Sequence, residues 1–384
     1  MIKAVDLETS IYNKGNFADT RNYVCFAGVG DTIWDIEYYK DEPYGHKLVE
    51  IQQAIDEATL LVFCNAKFDI HHLKNLGITC SHKRIWDCSL VEYMLSGQTM
   101  TYPSMNQMAD IYSLEQKPDI KTKYWEEGIQ TCDIPYDEIA DYLQHHDLPT
   151  TLAIYNHQKA RCEMQSVQFQ RLVSVHNQDT HCLAEMEHNG LFFDEKQCIM
   201  SSTELEIEIK KLQQELTDYH DVPEFNTASG DHMSALIYGG VITIPRKVLV
   251  GVYKTGDRVG QDKYGWQDFV FNLPTQFKPL AKTELKKAGF WQTGADILKQ
   301  LKCRDNAGKH LIKIILSLAK LEKLLGTYYK GLPALREKMN WKGDYLYGNL
   351  SQVSVVTGRL SSSKPNLQNI SGEMKNIFRS RYGY

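Results

Sequence analysis

Long apolar runs are missing from this sequence: no stretch approaches the roughly 20 residues that a membrane-crossing helix requires, so a transmembrane role is excluded from the expectations. Cys-x-x-Cys pairs and Cys/His zinc spacings are missing as well. The nine cysteines in 384 residues are scattered, which argues against a disulfide framework and reads as reduced, mostly buried thiols. The first residues read as a strand rather than a signal peptide, and a cytoplasmic setting is expected. Hydrophobic residues at 42% and charged residues at 24% are ordinary for a globular protein, and the length suits two or three domains.

Charge is unevenly shared. Residues 1–150 carry 12 Lys and Arg against 24 Asp and Glu, a net of −12, whereas the remainder carries 31 against 24, a net of +7. The basic excess gathers at Lys278, Lys282, Lys286, Lys287, Lys299, Lys302, Arg304, Lys309, Lys313, Lys320 and Lys323. Such a crowd is either a solvated helix face or a surface that follows phosphates.

The chain opens on a strand, Ile2 to Glu8, in which Asp6 and Glu8 share one face while Val5 and Leu7 take the other. Two carboxylates held side by side repel unless a cation neutralises them, and hard divalent ions suit oxygen ligands. Strands at Tyr23–Val29 and Thr32–Tyr38, joined by Gly30-Asp31, form an antiparallel meander; a helix near Lys47–Glu57 then crosses to the apolar strand Leu60–Cys64, parallel to the first. Helices follow at about Lys67–Asn75, Cys88–Leu95, Ser104–Tyr112 and Tyr136–Lys159. This order suits a ribonuclease-H-like mixed sheet with helices on both faces.

Two further acids stand where chemistry gathers. Asp69 follows the parallel strand in Asn65-Ala66-Lys67-Phe68-Asp69, beyond the C-terminal end of a strand, though Asn65 or Asp69 there is equally able to cap the helix. Asp147 closes Tyr142-Leu143-Gln144-His145-His146-Asp147.

The four acids Asp6, Glu8, Asp69 and Asp147 stand in the order of the exonuclease superfamily named for its Asp-Glu-Asp-Asp site. Asp6-Leu7-Glu8-Thr9, Asn65 to Asp69 and Tyr142 to Asp147 resemble its three motifs, and Trp86 to Leu90 and Tyr124 to Ile129 resemble segments of bacteriophage family A (DNA polymerase I-like) polymerases. The resemblance implies a metal-dependent 3′→5′ exonuclease with two Mg²⁺ or Mn²⁺ ions about 4 Å apart. Asp6 would bridge both ions, Glu8 and Asp147 would hold the first, and Asp69 the second. It also implies DNA contacts at Asn65 and Phe68. One departure matters: the family helix has its tyrosine four residues before the acid, whereas Leu143 stands there and Tyr142 lies five before Asp147. On an ideal helix the extra residue turns Tyr142 about 140° away. Pro149 predicts a kink or bulge near His145 and His146 that brings Tyr142 back; His145 or His146 is the alternative water-orienting group.

From Arg161 the pattern becomes helical, at Ser166–Asn189 and Glu195–Tyr219, with one or two hairpins over 241–275 and a long amphipathic helix His310–Lys338. That helix, with Lys309 and Lys313, resembles the polymerase thumb, which grips duplex phosphates. The run Thr357-Gly358-Arg359-Leu360-Ser361-Ser362-Ser363-Lys364-Pro365-Asn366-Leu367-Gln368-Asn369-Ile370 resembles the primer–template-binding segment before the palm. There Thr357, Arg359, Ser361, Ser362, Asn366, Gln368 and Asn369 are the expected DNA contacts. Ser371 replaces a customary proline.

The expected organisation is therefore an α/β exonuclease domain at 1–160 and a mainly α-helical partial polymerase domain at 161–384, with thumb near 278–340 and palm entrance at 345–384. The chain alone is expected not to polymerise: it resembles either one half of a split polymerase whose palm acids and finger helix lie on a separate chain, or a shortened gene product. Expected partners are DNA, that second polypeptide and replication factors, in the cytoplasm of a bacterial host. A noncatalytic DNA-binding subunit is the rival reading.

Overall fold

The computed structural model describes residues 1–38, 43–220, 222–303 and 305–380. Arg304 of the basic crowd and residues 381–384 of the expected palm entrance lie outside them. Two compact units emerge, one formed by Met1–Gln197 together with the residues from Leu332 onward, the other by Cys198–Gly331.

The first unit is built on a five-stranded sheet of β1 (Ile2–Thr9), β2 (Val24–Val29), β3 (Thr32–Asp35), β4 (Leu60–Phe63) and β5 (Ile85–Asp87). The order across the sheet is β3-β2-β1-β4-β5. β1 runs antiparallel to β2 and parallel to β4, and β5 parallel to β4. The helices are α1 (Gly45–Glu57), α2 (Ala66–Asn75), α3 (Cys88–Leu95), α4 (Met105–Tyr112), α5 (Tyr136–Asp141), α6 (Leu148–Glu163) and α7 (Val167–Asn189). Strand alternation sorts the two faces. Val5 and Leu7 join Ile51, Ile55, Ile70 and Leu73 on one side, whereas Ala4 meets Ile139, Tyr142, Leu143 and Leu148 on the other. Asp6 and Glu8, in step with Ala4, therefore face α5 and α6.

The first unit runs to Gln197, past the residue 160 expected as the domain boundary. α7 belongs to the first unit because its inner face carries a buried acid, Glu187, that binds several groups at once. Glu187 accepts from Lys67 Nζ at 2.5 Å and lies 2.8 Å from His71 Nε2, and it also accepts the backbone N–H of Leu350. Lys67 in turn donates to the Leu350 carbonyl. The C-terminal segment is held further by Tyr93 Oη, which donates to Val355 O at 2.7 Å, and by Tyr102 N–H to Val353 O at 3.0 Å. In the C-terminal segment Met374 and Ile377 are buried, and Phe193 bridges to Phe378.

The second unit packs the helices Gly230–Tyr238 and Asn306–Leu324 against the base of one long hairpin, Gly240–Val252 with Asp262–Leu273. Leu236, Ile237, Ile242, Ile244, Leu273, Leu311, Ile315 and Leu318 form its core. Ser229 caps the first helix through His232 N–H, and Asp305 caps the second through Gly308 N–H. The expected helix His310–Lys338 is instead three segments: Asn306–Leu324, a π-helical turn Leu325–Tyr329, and a separate helix Gly331–Lys338. Gly326 and Gly331 weaken helix continuity, and Pro333 sits in a first turn, where its missing N–H costs nothing.

Removing one partner of a buried ion pair costs about 3–5 kcal/mol. Glu187→Ala is accordingly expected to lower the melting temperature sharply and to open residues 345–380 to limited proteolysis before the sheet. Unchanged melting and cleavage would show that Glu187 holds nothing.

Candidate active site

The acids come together at the C-terminal end of β1. Ligand oxygens of Asp6, Glu8 and Asp147 all lie within 4.8 Å of one another. Asp69, on the first turn of α2, is fixed differently: its Oδ1 accepts the Leu7 N–H at 3.0 Å, which sets the carboxyl beside β1. Glu8, Asp69 and Asp147 are buried. Asn65 stands at the N-cap position of α2 but its side chain forms no capping bond; it is exposed. Asp87 does the capping nearby, accepting from Ala66, Ser89 and Leu90 N–H groups and so tying the starts of α2 and α3 together.

Between Tyr142 and Asp147 the chain forms a π-helical turn, with Leu148 N–H reaching back to Leu143 O. Pro149 follows directly, and the wider turn puts residues five apart on one side. Tyr142 is buried, the charge of Asp147 acts on its phenol, and its ring meets Trp125 edge-on at 6.3 Å. The histidines go elsewhere: His145 Nδ1 is 2.9 Å from Asp141 and His146 Nε2 3.5 Å from the same carboxylate. Neither is brought to the four acids.

Two residues that sequence reasoning missed complete the site. Lys117, on the loop before Ile120, places its ammonium 2.9 and 3.2 Å from the two oxygens of Asp147 and 4.7 Å above the Tyr142 ring. No sequence signal distinguishes it from its neighbours. Gly28 pairs with Asp6 across β1 and β2, and a Cβ there would stand 2.7 Å from Leu148 Cδ1. A glycine within a strand is a signal for such close approach.

The electrostatics follow from burial. It pushes all four carboxyls above their usual range, most plainly Asp6, Glu8 and Asp69. Next after burial, the charge of Asp147 raises Asp6 further, and that of Asp6 raises both Glu8 and Asp69. Lys117 pulls Asp147 back down without cancelling the burial. Burial also raises the Tyr142 phenol, so it stays protonated and can donate.

Beside the acids runs a cleft of about 500 Å³ lined by Leu7, Glu8, Lys14, Phe68, Lys121 and Trp125. A second, of about 360 Å³, shares Lys14, Gly15 and Phe68 with it and reaches Ser363 and Lys364. In the Thr357–Ile370 segment, Thr357, Arg359, Asn366, Gln368 and Asn369 are exposed. Ser361 and Ser362 are engaged internally: Ser361 bonds Ser354, and Ser362 Oγ donates to Pro365 O and accepts from Leu367 N–H. Asn366 accepts from Gln368 N–H, and Gln368 Nε2 donates to Leu360 O. In the second unit, Lys309, Lys313, Lys320 and Lys323 fall within an arc of about 80° on one helix, at 100° per residue, opposite its buried Leu311, Ile315 and Leu318.

The model of the family described as DNA polymerase family A matches residues 265–383. DNA polymerase I of Pseudomonas aeruginosa is 26% identical over 319 residues, 82% of this chain and 30% of that protein. The thermostable DNA polymerase I of Thermus thermophilus is 30% identical over 188 residues, 49% of this chain and 17% of that protein. The POL domain of Pol1 from M. smegmatis, in complex with DNA primer-template and dNTP, matches 98% of this chain and 53% of that one with a TM-score of 0.65 and 16% identity. That likeness is one of fold. The chain spans less than a third of the length of these two curated relatives.

A carboxyl whose pKa is raised by folding stabilises the fold below its unfolded pKa and loses that contribution as pH rises through the folded value. Asp6→Asn, which removes one repelling charge, is therefore expected to melt roughly 2–4 °C above the wild type at neutral pH in EDTA, with the gap closing in acid. A pH series by scanning calorimetry checks this, and a gap that widens in acid would contradict it. Gly28→Ala crowds Leu148 at a cost of about 1–3 kcal/mol. It is expected to lower the melting temperature, and an unchanged melting temperature would show that the layer does not close on this glycine.

Proposed function

We propose that this chain is a metal-dependent 3′→5′ exonuclease joined to the DNA-gripping part of a family A polymerase. The observation that carries the reading is the convergence of Asp6, Glu8 and Asp147, with Asp69 alongside and Tyr142 under the Lys117 ammonium that pairs with Asp147, beside a cleft of nucleotide size. The first unit is assigned a ribonuclease-H-like fold on its strand order and mixed pairing. Polymerisation is assigned to palm and finger residues on further sequence or a second polypeptide.

The donor set fits Mg²⁺ or Mn²⁺: hard carboxylate oxygens only, buried, converging and carrying more negative charge than the one lysine among them offsets. When bound, such ions neutralise the acids and the developing charge on the phosphate and ease deprotonation of water. Asp6, Glu8, Asp69 and Asp147 would hold the ions. Tyr142, its phenol held protonated by burial, is assigned to orient the attacking water from beside the acids. Phe68 and Trp125 flank the cleft and stack on the terminal base, while Lys14 and Lys121 meet its phosphates. The shared lining of the two clefts supports a single-strand path from Lys364 to the acids, with Asn65 and Lys67 along it. Arg359, Thr357, Asn366, Gln368 and Asn369 on the first unit, and the lysine arc with Lys309 and Lys313 on the second, are assigned to the duplex backbone, holding DNA without reading its sequence.

The test is a gel assay of the purified chain with Mg²⁺ on a 5′-labelled single strand. Stepwise shortening is expected, absent in Asp6→Ala, and about 10²-fold slower in Tyr142→Phe with strand binding unchanged. No shortening with either Mg²⁺ or Mn²⁺ would overturn the reading in favour of a noncatalytic DNA-binding subunit.

A further inference from the structure

Lys117 sits where an incoming cation has to go. Its loop lies at the surface, with Glu115, Gln116, Pro118 and Asp119 exposed, yet its side chain runs inward and is only 21% exposed. Both oxygens of Asp147 are taken by the one ammonium, at 2.9 and 3.2 Å. The Tyr142 ring lies below it at 4.7 Å, and the charges of Asp6 and Glu8 act on it as well. An ion ligated by Asp147 therefore meets an occupied carboxylate.

We infer that Lys117 is an exchange cation: it holds the four-acid site assembled when no divalent ion is bound, and yields Asp147 to the ion when one arrives. The inference rests on the exonuclease reading and adds to it the control of ion occupancy. A lysine suits the part. Its ammonium is a compact point charge on a flexible four-carbon stem, able to swing away without moving the backbone, whereas a guanidinium forks onto a carboxylate in a fixed geometry that resists exchange. One positive charge also leaves four carboxylates undersupplied, so a divalent ion, bringing two, displaces it favourably. The consequence is a threshold. The empty site stays folded, and ion binding is weaker than the acids alone would give.

The test is calorimetric titration of Mn²⁺ into the full chain at low ionic strength, with melting temperatures in EDTA, for wild type, Lys117→Met, Lys117→Arg and Asp6→Ala. Lys117→Met keeps the stem and removes the charge; its Mn²⁺ affinity is expected to rise by about tenfold or more, with a lower melting temperature in EDTA. Lys117→Arg is expected to restore the EDTA melting temperature and to bind Mn²⁺ more weakly than wild type. The order Met, Lys, Arg in falling affinity supports the exchange. Equal affinities in the three, with Asp6→Ala abolishing binding, would overturn it while leaving the metal site intact. No Mn²⁺ binding by wild type, with none gained in Lys117→Met, would overturn the metal site and the exchange together. Should Lys117→Met fail to fold, the Lys117→Arg comparison still decides, because an Arg affinity equal to or above that of wild type contradicts the exchange.

Discussion

Repulsion among buried carboxylates is the constraint on which the rest of the first unit depends. Asp6, Glu8 and Asp147 bring oxygens within 4.8 Å of one another, with Asp69 anchored alongside through the Leu7 N–H. At the effective dielectric of a protein interior, each ionised pair at such a distance opposes folding by a few kcal/mol. A fold that keeps this arrangement has to hold the acids from several directions and supply positive charge.

Several local features answer that demand. The parallel pairing of β1 with β4 sets two strand ends side by side, so α2 delivers Asp69 next to β1. Gly28 lets the helical layer close on the sheet at Leu148, one residue from Asp147. The π-helical turn makes Tyr142 and Asp147 neighbours, and Lys117 supplies the cation. Each feature is unfavourable or unremarkable by itself; together they hold a charged pocket open to a cleft. Strain and repulsion concentrated in this way are what a site built to take up cations and phosphate would show.

Much of this was legible in the sequence because strong periodicities specified it. The alternation of β1, the meander, and α1 through α4 fell close to their expected spans, and Asp6, Glu8, Asp69 and Asp147 stood out as acids at strand and helix ends. Pro149 identified the bulge, since a residue without an N–H forces the preceding carbonyls to find other donors. The rest depended on contacts that no local pattern records. Glu187 reads as one more polar helix residue until Lys67, His71 and Leu350 surround it, and its helix falls within the first unit. Lys117 belongs to no motif, and its role exists only because a loop returns it to Asp147. Ser362, an expected DNA contact from its motif, also bridges Pro365 and Leu367 within its own turn through its hydroxyl, a link no motif records.

Anomalous diffraction from crystals of the chain soaked in Mn²⁺ tests the central claim most directly. The account requires a peak among the carboxylates of Asp6, Glu8 and Asp147, with the Lys117 ammonium withdrawn from Asp147. Crystals saturated with Mn²⁺ that show no peak there, with Lys117 still paired to both oxygens, would contradict it.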